Sequence, residues 1–223
     1  MGPANTALRV QEEISPQPGE ALGDLRFRKL LSDEDWFSLP AAIRARFSKR
    51  VGSGDMTTYA GRVTAMRLSL AGQVLVRLAK LIGGPFPTAT YVGAASIVTV
   101  TEHAASGGQT WTRLYACRKA APQIIHSTKT FAGPTGLEEH VGGGIGMALD
   151  VRAEAGALVF RSRYYFVRLG RLRIALPKWA TPGRLTVTHE EEGGGWFTFA
   201  LDVVHPLLGT LIHQTARFCE SKP

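Results

Sequence analysis

The sequence predicts an α+β chain that is mainly antiparallel β: a barrel or half-barrel of about eight to nine strands with two N-terminal helical elements. Three observations carry this expectation. From Thr88 onward, apolar and polar residues alternate with a period of two, as strands with one buried face do. The strand segments follow one another across glycine or proline breaks with no helical period between them, which means antiparallel pairing rather than βαβ units. A sheet with one apolar face must close on itself or pack against helices, and a barrel of about eight strands has room for one small ligand.

The elements follow in order. Residues 1–22 lack the basic start and apolar run of a signal peptide, and read as a disordered leader before a single β-rich domain over residues 23–220. Residues 25–48 look helical in two pieces: Asp33, Glu34 and Asp35 suit a helix start, and Ser38 before Pro40 suits a cap. After the strand-like TTYAGRVTAMRLS, the segment LAGQVLVRLAKLIGG sets Leu70, Val74, Leu78, Leu81 and Ile82 at helical spacing against a polar stripe of Gln73, Arg77 and Lys80. This amphipathic helix, stopped by Gly83, Gly84 and Pro85, is expected to lid the barrel. Strands are expected at 97–103, 110–117, 124–131, 147–154, 158–167, 171–176, 184–189 and 196–204.

One hairpin permits a register. A three-residue loop Arg168-Leu169-Gly170 pairs Val167 with Arg171 and Tyr165 with Arg173. That puts Arg161, Arg163, Arg171 and Arg173 on one face and Phe160, Tyr164, Phe166, Leu172, Ile174 and Leu176 on the other.

Charge is concentrated in the same region. The formal charge is +8, and the acid-free run from Ala155 to His189 supplies seven cations, leaving +1 for the rest. The arginine face suits an anionic membrane surface or an acidic partner. Nucleic acid is an unlikely partner, because only Tyr165 is interleaved there for base stacking. Two cysteines without a ligand cluster, and no run of about 18 apolar residues, lead us to expect a soluble cytoplasmic protein.

Motifs for chemistry fail on spacing. In LEEHVGGGIGMALDV, residues 137–151, Gly142, Gly144 and Gly146 are followed by Met147 and a strand pattern, so the stretch reads as a glycine-bent strand rather than a dinucleotide loop. His189 opens HEEE, but Gly193 stands where a zinc helix needs its second histidine. No G-x-S-x-G elbow occurs, and neither a catalytic set, a metal site nor a cofactor is expected.

The informative triplet is Trp111, Arg113 and Tyr115, which share one strand face. Facing inward, Arg113 would receive a ligand carboxylate or phosphate between two aromatics; facing outward, it would stack on its neighbours at the surface. An inward Arg113 needs a counter-charge, with Glu138 preferred over Glu139. Ser127 and His140 complete the candidate ligand-binding set.

The W-x-R-x-Y triplet, Ser127, Leu137-Glu138, IALP at 174–177 and FTFALDVVHPLLGTLI at 197–212 together resemble a bacterial domain of unknown function. FRKLLSDEDWFSLPAAIRARF, residues 27–47, resembles its opening, so the likeness covers about residues 25–218. HQTARF at 213–218 departs from the family's more usual tyrosine and glycine ending. Such domains occur alone or behind a saccharopine-dehydrogenase-like NAD(P)-binding domain, which implies an oxidoreductase partner but no defined activity.

The leading expectation is therefore a non-catalytic binding domain for an apolar or amphipathic anionic small molecule, such as a lipid or fatty acid. One rival is an enzyme, or an accessory domain to an NAD(P)-dependent reductase, using Glu138, Glu139, His126 or His140 as acid or base; that needs at least two of them in one cavity. The other is a peripheral membrane or protein interaction module that uses the arginine face.

Overall fold

A computed structural model describes residues 23–88, 90–117 and 121–221. The expected leader, 1–22, lies outside the described residues. Two short helices precede the sheet, α1 (Asp33–Ser38) and α2 (Ala41–Phe47), and α3 (Leu70–Ala79) follows the first strand. The strands are β1 (Met56–Leu68), β2 (Ala95–His103), β3 (Gly108–Tyr115), β4 (Gln123–Thr130), β5 (Glu138–Gly142), β6 (Ile145–Glu154), β7 (Ala157–Leu169), β8 (Leu172–Ala175), β9 (Arg184–Gly193), β10 (Trp196–His205) and β11 (Gly209–Ser221).

All eleven strands belong to one antiparallel sheet in the order β6-β5-β4-β3-β2-β1-β11-β10-β9-β7-β8, and β6 also pairs with β7. That pairing closes ten strands into a barrel, with β8 as an extra strand on β7. The expected eight to nine strands are thus too few, and the barrel is fully closed. The count falls short because β5 and β11 were not among the expected strands: EEHVG carries three titratable side chains, and β11 is interrupted by His213, Gln214 and Thr215. The two helical elements hold three α-helices, α1 and α2 within residues 25–48 and α3 between β1 and β2.

Bulges decide which side chains enter the barrel. Between Val63 and Ala65 the register of β1 against β11 slips by one, and the buried parity passes from Tyr59 and Val63 to Met66. In β7 the slip falls at Arg163, so Phe160 and Tyr165 both face inward while Phe166 turns out. The expected grouping of Phe160 with Phe166 therefore fails. The β7–β8 loop also has two residues rather than three: Leu169 faces Leu172 across Gly170-Arg171, with Gly170 at φ +59°. Arg173 consequently shares the outer side of the barrel with Phe166, its guanidinium 3.7 Å from that ring. Arg161, beside the inward Phe160, points to the same outer side; it pairs with Glu154 at 2.6 Å and Arg163 pairs with Asp150 at 3.5 Å, so acids of β6 stand among the arginines.

One end of the barrel is plugged. Ser32 caps α1 by accepting from the Asp35 amide at 3.0 Å, whereas Ser38, expected to cap the second helix, ends α1 with its hydroxyl donating to the Asp35 carbonyl at 2.7 Å, and Pro40 stands at the N-cap of α2. The apolar sides of α1 and α2 bury Trp36, Ile43 and Phe47, and Phe27 meets Phe47 and Phe131 edge-on. At the other end α3 crosses the rim. Its packed seam is Gly72, Val76 and Ala79. The stripe Leu70, Val74, Leu78 and Leu81 expected on its packing side is exposed instead.

The glycine cluster is a hairpin rather than one bent strand: β5 ends at Gly142, Gly143-Gly144 turn, and β6 begins at Ile145. Gly142 has φ +108°, and a side chain there would lie 2.6 Å from the Ile82 carbonyl, so the cluster lets the end of the α3 segment sit directly on the turn.

Candidate ligand-binding site

Between the plug and α3 lies a cavity of about 700 Å³, a size typical of small-molecule sites. Phe47, Met147 and Phe160 are among its apolar walls, and Val74, Leu78, Trp179 and Leu208 line it while being more than half exposed. Those four residues mark where the cavity meets solvent.

The triplet on β3 faces inward. Trp111 and Tyr115 are buried and line the cavity with Arg113 between them. Trp111 donates from Nε1 to Gln109 Oε1 at 3.1 Å, and Tyr115 stacks on Tyr91 with ring centroids 5.3 Å apart. Arg113 donates from Nη1 to Ser127 Oγ at 3.1 Å, the residue directly across from Trp111 on β4. Ser127 thus belongs to the site as a positioning group.

The counter-charge is Glu139, not Glu138. Alternation along β5 sends Glu139 into the barrel and Glu138 and His140 to its outer side. Glu138 is bound there by Arg173, and His140 stacks against Phe166 with ring centroids 5.7 Å apart. Burial and the neighbouring Arg168 and Arg173 hold the His140 pKa below its ordinary value despite Glu138, so its 3.6 Å approach to that carboxylate is not an ion pair at neutral pH. Both residues leave the candidate set. Inside, Lys129 Nζ stands 3.1 Å from Glu139 Oε1 and Arg113 Nη2 stands 3.8 Å from it. Register explains this: Lys129 is directly opposite Glu139 across β4 and β5.

The electrostatics follow from burial. Burial alone would raise the Glu139 pKa, but Lys129, Arg113 and hydrogen bonds outweigh it and hold the carboxyl below its usual range. The fully enclosed Lys129 is pushed down by burial against the pull of Glu139, with its ammonium 4.9 Å from the Trp111 ring. Two cationic side chains meet one carboxylate, and Arg113, hydrogen-bonded to Ser127 and 3.8 Å from Glu139, lines the cavity with further donors to offer.

Sequence reasoning missed Lys129, Tyr165 and Gln214. Gln214 donates to the Tyr115 hydroxyl at 3.2 Å. The Tyr165 ring lines the cavity, and its buried hydroxyl has no hydrogen-bond partner; burial pushes its pKa up to about 12. A signal for Lys129 existed in the alternation Ile125, Ser127, Lys129 along one face of β4. Gln214 had none, because β11 was not read as a strand.

Of the four acid–base candidates only Glu139 reaches the cavity. His126 is exposed and contacts Thr112 Oγ1 at 2.9 Å on the outer side. The HEEE histidine is also placed: His189 is fully buried, with Arg46 Nη1 donating to its Nε2 at 2.7 Å. Both cysteines are free, and among the described residues no helix is long and apolar enough to cross a membrane.

A family model for a domain of unknown function, DUF4166, matches residues 39–218, beginning inside the segment 27–47 that resembles the family's opening. No curated protein and no solved structure matches the chain.

Proposed function

This chain belongs to the DUF4166 family, and we propose that it is a binding domain whose barrel holds one amphipathic anion, a fatty acid or similar lipid, with the acidic end on Arg113. The observation that carries this reading is the charged group on a mostly apolar cavity wall: Glu139 is already held by Lys129 at 3.1 Å, while Arg113 is farther off at 3.8 Å and lines the cavity. The apolar walls supply affinity, and Arg113, steadied by Ser127, fixes orientation. The pair Lys129–Glu139 keeps the wall polar without spending Arg113.

The test is a titration of the full chain with a fluorescent long-chain fatty acid and with its methyl ester. A charge-assisted hydrogen bond contributes about 1.5–3 kcal/mol, so Arg113→Leu is expected to weaken the acid roughly 10- to 100-fold. The ester is expected to bind both proteins alike. Equal affinity of both proteins for the acid, or no binding by the unaltered chain, contradicts the proposal.

A further inference from the structure

We infer that the open end of the barrel docks on anionic lipid bilayers, so that the cavity exchanges its ligand with the membrane. The exchange rests on the reading of the cavity as a lipid site; the docking does not.

The rim of the opening is apolar and unpacked. Val74 and Leu78 of α3, Trp179 and Leu208 line the cavity and are 52%, 60%, 84% and 59% exposed. Beyond them Leu70, Leu81 and Leu207 are 82%, 85% and 88% exposed. The helix does not need this stripe for the fold, because it is seated on the opposite side by Gly72, Val76 and Ala79. Apolar side chains gathered around a cavity mouth mark a surface that something apolar covers.

Charge selects the occupant. The described residues of the connections at this end, 69–88, 90–94, 116–117, 121–122, 143–144, 170–183 and 206–208, contain no Asp or Glu. They carry Arg77 and Lys80 beside the apolar stripe of α3, Arg171 at the β7–β8 turn and Lys178 beside Trp179. Leucines flanked by cations, with a tryptophan at the margin, is the pattern of a surface that lies in an anionic lipid interface. A ring of this kind also places the mouth against the acyl layer, from which an amphipathic ligand enters without crossing water.

The test is cosedimentation of the full chain with vesicles of phosphatidylcholine alone or mixed with phosphatidylserine. The comparison is Leu81→Asp/Leu207→Asp, two exposed sites that do not line the cavity. The unaltered chain is expected to bind the phosphatidylserine vesicles, less so as salt rises, and the double variant to bind about tenfold more weakly while keeping its solution affinity for the fluorescent fatty acid. Absence of vesicle binding overturns the inference, as does equal binding by the variant. A concentration-dependent dimer that the variant abolishes, without vesicle binding, assigns the surface to self-association and also overturns it. Arg113→Leu separates the two readings: it is expected to bind vesicles normally but draw less fatty acid from them. If the unaltered chain binds vesicles yet takes up no fatty acid from solution or bilayer, docking stands and the ligand reading fails.

Discussion

At the scale of single residues, the most consequential contact is Lys129 with Glu139, both about nine-tenths or more buried. Removing one member of such a pair strands a charge, at a cost of about 3–5 kcal/mol, whereas removing both costs much less. Lys129→Met and Glu139→Gln are each expected to lower stability by that amount in urea titrations, and the double variant by clearly less than their sum; additive losses would show that the pair is not coupled. A second residue reports on acid sensitivity. Burial, reinforced by Arg46, holds the His189 pKa well below 6.5, so the unfolded chain takes up a proton at a higher pH than the folded one. Stability therefore rises with pH across that interval and is lost as pH falls below about 6.5, by at most about 1.4 kcal/mol per pH unit from this group. His189→Gln is expected to flatten the profile of thermal midpoint against pH just below 6.5, and an unchanged slope would remove His189 as its source. The residues of the candidate site were only partly legible. Alternation put Trp111, Arg113 and Tyr115 together from sequence alone, but choosing between Glu138 and Glu139 is a question of parity, and parity follows from pairing with β4 that local sequence does not contain.

At the scale of elements, α3 shows how a correct periodicity can be given the wrong orientation. Its leucine stripe and polar stripe are both real, yet the packed seam is a third one, built on Gly72, where an added Cβ would lie 2.0 Å from the Leu211 carbonyl oxygen. Small residues let a helix approach a strand closely, and hydrophobicity alone does not announce them. An exposed helical glycine replaced by alanine gains about 1 kcal/mol. Gly72→Ala is expected to do the reverse, lowering the thermal midpoint because α3 must lift from β11; a raised midpoint would contradict this seating. The β7–β8 hairpin failed for a related reason. Both loop lengths are compatible with Gly170, and the preference for three residues assumed an uninterrupted alternation that the bulge at Arg163 breaks.

At the scale of the whole molecule, the antiparallel β character was legible because period-two alternation survives from β2 onward, and closure was only an expectation because it depends on β11 bridging β1 and β10. Closure is what gives the chain an inside. The plug of α1 and α2 shuts one end, and the acid-free connections with exposed leucines surround the other. An apolar interior with one charged wall and one apolar mouth is what the proposed container, filled from one end, requires. The most direct test of that claim is native mass spectrometry of the full chain purified from expressing cells without detergent, paired with organic extraction. The expected result is a fraction of molecules carrying an adduct of the mass of a long-chain acid, depleted in Arg113→Leu. Bare chain only, with nothing extractable and no uptake of added fatty acid, would contradict it.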